Sequence, residues 1–285
     1  MLERARGIVK DVFGYDGFRP LQEEVIAAIM AKRDALVVMP TGGGKSLCYQ
    51  VPALASEGLT VVVSPLISLM KDQVDQLRAL GVDAVLLNST LSAEEYAHNT
   101  AMVRAGTARL LYIAPESLMK REVLSLLESA RVECLAIDEA HCISEWGHNF
   151  RPDYLKLAGI ARSIGAERIL ALTATATPPV VRDICSSFGI PPTGAIVTGF
   201  YRPNLELVIE DSPADTRDRR LVERLRQRAP GATIVYVTLQ KTAERVAALL
   251  RDAGFPARAY HAGLEADARS VIQDEWMRSD RGIVV

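Results

Sequence analysis

The chain has 285 residues, of which 49% are hydrophobic and 24% charged, and its formal net charge is −2 at pH 7. This composition can form the cores of two modest domains, and no apolar run reaches the roughly 20 residues of a membrane span. No signal-peptide core follows the first residues, so the sequence predicts a cytoplasmic protein without a membrane partner. A sequence pI near 6.1 gives no global attraction for nucleic acid, so any polyanion must bind in a local groove.

Apolar runs of strand length alternate with helical patterns through the first part of the chain. Strands are predicted at residues 35–39, 60–64, 84–87, 109–114, 134–137 and 168–172. Between them, residues 47–55, 66–80 and 116–130 are predicted to be helices. This alternation predicts an α/β fold with a doubly wound parallel sheet.

A glycine-rich loop, Pro-Thr-Gly-Gly-Gly-Lys-Ser at residues 40–46, separates the first predicted strand from the helix at 47–55. Glycines allow a tight turn whose backbone N–H groups point at one anion, and the helix N-terminus favours negative charge. Lys45 can then reach a β- or γ-phosphate, and the Ser46 hydroxyl can ligate magnesium. The common pattern has glycine where this chain has Met39, so the motif is imperfect. The predicted ATP-binding residues of the loop are Thr41, Gly42, Gly43, Gly44, Lys45 and Ser46.

Two adjacent carboxylates, Asp138 and Glu139, follow the strand predicted at 134–137. Because α/β folds bind ligands at the carboxyl ends of their strands, this pair should lie beside the glycine-rich loop. Asp138 is predicted to hold magnesium, and Glu139 to orient or deprotonate the attacking water. The loop and the carboxylates together predict Mg·ATP as the ligand. A glycine turn with a surface lysine, or a solvated acidic strand end, explains less of the pattern.

Four cysteines are scattered along the chain, and buried free thiols are the preferred interpretation. Cys142 lies near His141 and His148, which raises the question of zinc. No Cys-x-x-Cys pair completes a four-ligand site, so zinc is not predicted. The four are Cys48, Cys134, Cys142 and Cys185.

Prolines and a glycine at 191–194, followed by residues 201–204, predict the approach to a linker. Beyond it, a second α/β series is predicted, with strands at 232–237, 257–260 and 283–285 and helices at 242–252 and 265–277. The arginine-rich helix at 217–228 also carries acidic residues, which favours a solvated face over a DNA tract. The last strand has no continuation, so the second domain is expected to be incomplete. The predicted division is an N-terminal segment at 1–24, a domain at 25–200, a linker at 201–214 and a partial domain at 215–285.

Several stretches together resemble the superfamily 2 helicases, and within them the RecQ DNA helicases. Residues 65–73 and 114–116 are similar to motifs Ia and Ib, and residues 172–176 to motif III. The most specific likeness is Ser-Glu-Trp-Gly-His-Asn-Phe-Arg-Pro-Asp-Tyr at 144–154, which resembles the RecQ aromatic-rich loop. Residues 234–238 resemble motif IV in a less usual version.

The resemblance implies a fold of tandem RecA-like P-loop NTPase domains with parallel sheets, the second of them incomplete. It also implies an adenine-reading motif near the N-terminus, in which Gln22 pairs with the adenine edge and Arg19 lies close by. An amide suits this role because it offers a donor and an acceptor together.

The resemblance further implies residues that contact DNA or couple it to ATP. The aromatic side chains of the loop offer stacking faces for single-stranded DNA, and its arginine offers a planar cation. Motif III links the state of ATP to the DNA contacts, and His141, which closes the Asp-Glu-Ala-His box, shares that coupling. The implied residues are Trp146, Phe150, Arg151, Thr173 and Thr175.

By this resemblance we expect a 3′–5′ DNA helicase that couples Mg·ATP hydrolysis to movement on single-stranded DNA and to unwinding of partly duplex DNA. Motifs V and VI are expected beyond the last residue, so hydrolysis by this chain should be weak, since arginine fingers contribute about 10³–10⁵ in rate. A non-catalytic module that binds ATP and single-stranded DNA is the alternative. An RNA helicase of the DEAD-box kind is more distant, because such proteins carry Asp where His141 stands and Pro-Thr-Arg-Glu-Leu at 64–69.

Overall fold

A computed structural model describes residues 2–147, 149–199 and 204–285 of the chain. The chain divides into two units, Met1–Arg202 and Pro203–Val285, which are the first and the second unit below. His148 and residues 201–203 of the predicted linker lie outside the described residues. Each unit has its own sheet and its own hydrophobic core.

The strands of the first unit are short apolar runs, and most of their residues are buried. They are β1 (Ala35–Val38), β2 (Leu59–Val63), β3 (Ala84–Leu87), β4 (Leu110–Ile113), β5 (Val132–Ile137), β6 (Ile169–Thr173) and β7 (Ala195–Val197). All pair in parallel, in the order β3-β4-β2-β5-β6-β1-β7. The six strands predicted from apolar runs are present with small shifts at their ends, which confirms the α/β class with a parallel sheet.

Both faces of this sheet are covered. Successive strand residues point to opposite faces, and in β1 Leu36 and Val38 join one apolar cluster while Ala35 and Val37 join another. This burial on two sides is why the strands are continuous apolar runs rather than alternating ones.

Two helices of the first unit precede β1, and the others lie between its strands. The helices are α1 (Leu2–Asp11), α2 (Gln22–Met30), α3 (Leu47–Ala55), α4 (Ile67–Ala79), α5 (Ala93–Arg104), α6 (Pro115–Leu118), α7 (Arg121–Glu128), α8 (Leu157–Ser163) and α9 (Pro178–Phe188). Short 3-10 turns occur at Ala140–Ile143, Pro152–Lys156 and Pro192–Gly194. No helix among the described residues is both long and apolar enough to cross a bilayer.

Two details of the first unit differ from the sequence prediction. The single helix predicted at 116–130 is wrong, because Lys120 has an extended backbone (φ −69°, ψ 135°) that separates α6 from α7. This break leaves both Leu118 and Val123 buried in the core. The second difference is β7, a strand that was not predicted. It follows the prolines near 191–194 and pairs with β1 at the edge of the sheet.

The second unit has a smaller sheet. Its strands are β8 (Thr233–Ile234), β9 (Ala257–Arg258) and β10 (Ile283–Val284), parallel and in the order β8-β10-β9. Its helices are α10 (Arg217–Gln227), α11 (Gln240–Asp252) and α12 (Ala266–Arg278). In α10, Leu221, Val222 and Leu225 pack against the core while the arginines are exposed, in agreement with the predicted solvated face.

Candidate functional site

The glycine-rich loop runs from the end of β1 to the start of α3. Gly42 and Gly44 have φ angles of 81° and 83°, in the left-handed region that favours glycine. A Cβ atom on Gly44 would lie 2.3 Å from Gln22 Nε2, and one on Gly43 would lie 2.5 Å from Met39 Cγ. The turn is therefore closed so tightly that side chains are excluded from its backbone, as a phosphate cradle requires.

Met39, which stands where the common loop has glycine, has a place in this arrangement. Its side chain is buried and packs against Gly43 at the position that a Cβ would occupy. Its carbonyl oxygen accepts a hydrogen bond of 3.1 Å from Lys45 Nζ. Its backbone N–H donates to Thr173 O at 3.0 Å, which extends the pairing of β1 with β6. The departure from the common motif therefore leaves the loop and the lysine in place.

Two residues that precede or open α2 hold the loop from the other side. Gln22 is fully buried, and its Nε2 donates to Gly44 O at 2.9 Å and to Gly43 O at 3.3 Å. Its Oε1 accepts a bond of 2.7 Å from the Arg19 backbone N–H. The Arg19 guanidinium donates to Gly42 O. Both predicted adenine-motif residues thus contact the backbone of the glycine-rich loop.

Asp138 and Glu139 lie where β5 ends. Asp138 N donates to Val63 O at 2.8 Å, and Glu139 N donates to the Asp138 carboxylate at 3.0 Å. Glu139 has left-handed backbone angles (φ 50°, ψ 42°), which turn the chain sharply after the strand. Burial, and then the charge of Glu139, raise the pKa of Asp138 to about 6.

A cleft of about 520 Å³ brings most of the predicted nucleotide-site residues together. Gly43 does not line this cleft but closes the turn through its N–H, which donates to Pro40 O at 2.9 Å. The predicted residues that line the cleft are Arg19, Gln22, Thr41, Gly42, Gly44, Lys45, Ser46, Asp138 and Glu139.

The oxygen donors of this cleft suit magnesium. The hydroxyl of Ser46 and the carboxylate of Asp138 are hard oxygen ligands, which magnesium prefers. Among the described residues no group of three or more His, Cys, Asp or Glu could hold a metal ion. The four cysteines are free thiols, and burial raises the pKa of Cys48 and of Cys134 to about 12.

Replacing Asp138 by asparagine is expected to stabilise the magnesium-free protein. The folded-state pKa of about 6 lies above the ordinary value of 3.8, so the fold binds this proton more tightly, and stability is lost as the pH rises through that window. The asparagine side chain carries no charge, and we expect it to raise the free energy of unfolding by about 2–3 kcal/mol above pH ~7. The gain should shrink as the pH falls below about 5. Urea unfolding of the wild type and of Asp138→Asn, above pH ~7 and below pH ~5, measures the difference in the free energy of unfolding.

The exposed Asp11 supplies the control for that measurement. Asp11→Asn should change the free energy of unfolding little at either pH, because a solvated carboxylate loses almost no hydration on folding. An Asp138→Asn gain that is the same at both pH values would contradict the assigned cause.

His141 joins the carboxylates to β6. It is buried, and its Nδ1 lies 2.9 Å from Thr173 Oγ1 and 3.1 Å from Glu139 Oε2. Thr173 Oγ1 donates to Thr175 O at 3.0 Å and accepts from Thr175 N at 3.3 Å. Hydrogen bonds with Cys142 and Glu139 raise the pKa of His141 to about 9. A chain of polar contacts therefore runs from Glu139 to the segment that follows β6.

The aromatic-rich loop follows the 3-10 turn Ala140–Ile143. Trp146 is 77% exposed and borders a hollow of about 390 Å³ that His141, Gly147 and Thr175 also line. Phe150 and Arg151 are only partly exposed and do not line this hollow. The loop thus presents the face of Trp146 to solvent beside His141, which contacts Glu139.

Two residues that were not among the predicted site residues also hold the site. Tyr154 OH donates to Asp138 O at 3.0 Å, so a buried tyrosine from the end of the aromatic-rich loop supports the carboxylate turn. The Asp183 carboxylate accepts a bond of 2.6 Å from Ser144 Oγ. No local pattern could reveal these contacts, since each joins segments that are distant along the chain.

Comparison with known proteins shows the family of the chain. Residues 19–184, more than half of the chain, match the DEAD/DEAH box helicase family. The ATP-dependent DNA helicase RecQ of Haemophilus influenzae is 44% identical over 99% of this chain and 45% of its own length. That of Bacillus subtilis is 41% identical over 100% of this chain and 48% of its own length. The chain spans less than half the length of these curated relatives.

A structural comparison points the same way. A crystal structure of the DUF1998 helicase MrfA bound to DNA superposes with a TM-score of 0.71 over 99% of this chain and 44% of that one, at 18% identity. At that identity the likeness concerns the fold, which is that of RecA-like helicase domains. The chain therefore belongs to the DEAD/DEAH box helicase family, and within it to the RecQ helicases.

Proposed function

We propose that this protein is an ATP-dependent DNA helicase that moves 3′ to 5′ along single-stranded DNA and opens partly duplex DNA. The observation that carries the proposal is the single cleft in which the glycine-rich loop faces the strand-end carboxylates. Its RecQ relatives are named ATP-dependent DNA helicases. The direction of movement comes from the resemblance to that family.

The roles in the nucleotide site follow from the chemistry of each group. Lys45 and the loop N–H groups bind the phosphates, and Ser46 and Asp138 would hold magnesium, whose charge would offset that of the phosphate oxygens. Glu139 orients and deprotonates the attacking water. Arg19 and Gln22 lie on the wall of the cleft and are the candidates for adenine recognition.

The DNA site is proposed on the exposed side of the aromatic-rich loop. Trp146 stacks on bases, an interaction worth roughly 1–3 kcal/mol per base, and Phe150 and Arg151 complete the surface after a local rearrangement. His141, Thr173 and Thr175 couple the two sites, because their contacts lead from Glu139 to the hollow beside Trp146.

DNA is favoured over RNA as the substrate. The RecQ relatives are named DNA helicases, and Asp-Glu-Ala-His stands at 138–141. A structural neighbour at a TM-score of 0.56 and 20% identity is a hypothetical ATP-dependent RNA helicase from Sulfolobus tokodaii, which makes RNA the necessary comparison in any test.

Equilibrium coupling between the two ligands tests the proposal. A fluorescent ATP analogue is titrated with and without magnesium, and with oligo(dT) or oligo(U); ATP turnover is followed in parallel. We expect magnesium-dependent binding whose affinity oligo(dT) changes, with the nucleotide changing the affinity for oligo(dT) by the same factor. Glu139→Gln should keep the binding and remove any turnover. Absence of nucleotide binding would refute the ATP site, and a stronger response to oligo(U) would revive the RNA helicase.

A further inference from the structure

The segment that carries Trp146 is a tight turn tied to the backbone of the Asp-Glu-Ala-His box. Ser144 N donates to His141 O at 3.2 Å, and Gly147 N donates to Ser144 O at 2.9 Å. A Cβ on Gly147 would lie 2.5 Å from His141 O, so only glycine allows this close return of the chain. The backbone of the turn is thereby defined on both sides of Trp146.

One side chain fixes this turn to a different element. Ser144 is 1% exposed, and its Oγ donates to the Asp183 carboxylate at 2.6 Å while it accepts from Trp146 N at 3.2 Å. A hydroxyl has one proton to donate, and a charge-assisted bond of this length is among the stronger kinds in proteins. Asp183, Ser144 and the Trp146 backbone therefore form one continuous chain of hydrogen bonds.

Asp183 lies on a helix that begins at the segment following β6. The helix α9 begins at Pro178, shortly after Thr175. Val180 and Ile184 of this helix are buried in the core. Val180 and Trp146 border the same hollow. A displacement of the Thr175 segment would thus reach the Trp146 turn through α9 and Asp183, as well as through His141.

We propose that Asp183 is a positioning residue that, through Ser144, holds the Trp146 turn at a defined place over the hollow beside Thr175. Asp183 touches neither nucleotide nor DNA in this proposal. It orders the turn before DNA arrives, so that binding does not require ordering of the loop. The importance of Trp146 for DNA rests on the proposed function, whereas the restraint on its position does not.

Fluorine NMR of the full chain labelled with 5-fluorotryptophan tests the restraint without DNA. The chain has two tryptophans, and Trp146→Phe identifies the resonance of Trp146. In Asp183→Ala and in Ser144→Ala the chemical shift of this resonance should change, and its linewidth should fall about twofold as the turn becomes mobile. The Trp276 resonance should keep its chemical shift and linewidth. The double variant should show no larger change than Ser144→Ala, because Ser144→Ala already removes both the contact with Asp183 and the bond from Trp146 N.

Two further variants separate positioning from a general loss of structure. Asp183→Asn keeps an oxygen that can accept from Ser144 and should restore most of the wild-type signal. Ser186→Ala changes an exposed residue of the same helix and should leave both resonances unchanged. An unaltered Trp146 resonance in a folded Asp183→Ala variant would overturn the proposal. So would a displaced Trp276 resonance or loss of the cooperative unfolding transition, since either would show a general loss of structure. A modest fall in the melting temperature of Asp183→Ala is expected, because the variant loses a charged hydrogen bond.

Titration with oligo(dT) then connects the restraint to DNA. The half-saturating concentration should rise about fivefold in Asp183→Ala, since the loop must then be ordered on binding, with nucleotide affinity unchanged. The Trp146 resonance could change in Asp183→Ala and yet not change when oligo(dT) is added to the wild type. That result would refute the DNA role of the loop and leave the restraint on Trp146 supported. If oligo(dT) does change the Trp146 resonance of the wild type, but Asp183→Ala binds oligo(dT) with wild-type affinity, the contribution of Asp183 to DNA binding is refuted.

Discussion

Replacing Lys45 by alanine is expected to weaken nucleotide binding by roughly 30- to 150-fold, the equivalent of losing a charged hydrogen bond of about 2–3 kcal/mol. Lys45 lines the cleft, and its ammonium group donates to Met39 O at 3.1 Å, so it is placed to contact phosphates at the loop. Titration of a fluorescent ATP analogue in the presence of magnesium measures the change.

A control lysine and a stability measurement make this result specific. Lys10, exposed on α1, carries the same charge away from the cleft, so Lys10→Ala should leave nucleotide affinity unchanged. The melting temperature of Lys45→Ala should stay close to that of the wild type, because the Lys45 side chain lies on the wall of the cleft and its hydrogen bond goes to the backbone carbonyl of Met39. Wild-type affinity in a folded Lys45→Ala variant would refute the cradle assignment.

Trp146→Ala is expected to weaken binding of single-stranded DNA by about 5- to 150-fold, corresponding to stacking of roughly 1–3 kcal/mol per base. The side chain is 77% exposed, so its removal leaves no cavity in the core. Nucleotide affinity measured without DNA should stay nearly unchanged. Fluorescence anisotropy of a labelled oligo(dT) measures the DNA affinity.

Trp146→Phe supplies the matched variant, because phenylalanine keeps an aromatic face of smaller area. It should fall between the wild type and Trp146→Ala in DNA affinity. An equal loss of DNA and nucleotide binding in Trp146→Ala would instead mean that Trp146 supports the first unit as a structural residue. That outcome would also remove the reason to regard the aromatic-rich loop as a DNA sensor.

Lys45 and Trp146 test the two ends of one chain of contacts. Between them lie His141 and Thr173, whose side chains meet at 2.9 Å. If both variants behave as expected, each site binds its own ligand without the other.

The strands of the first unit could be predicted closely because burial on both faces leaves a plain signal in the sequence. β3 is predicted to the residue, and the other five predicted strands differ only at their ends. β7 was not predicted, since it has three residues and none of them is buried. The break between α6 and α7 was also missed, because the backbone angles of Lys120 leave no mark on the apolar spacing.

The nucleotide loop and the strand-end carboxylates could be predicted for a similar reason. Each motif is a short run whose chemistry depends on neighbours along the chain: glycines that permit a turn, a lysine and a serine at a helix start, and acids after an apolar strand. The parallel topology then required both to meet at one edge of the sheet, and the cleft contains both.

The amino-acid sequence was sufficient for the fold class, for the local form of the phosphate loop and for the choice of Asp138 and Glu139, because neighbours along the chain encode these features. The contact of Ser144 with Asp183 joins residues 39 apart, that of His141 with Thr173 residues 32 apart, and that of Gln22 with Gly44 residues 22 apart. Such contacts depend on the register and order of the strands and on how each helix packs, which are properties of the folded chain. The long-range packing therefore defined how the two sites connect, and with it the positioning role of Asp183.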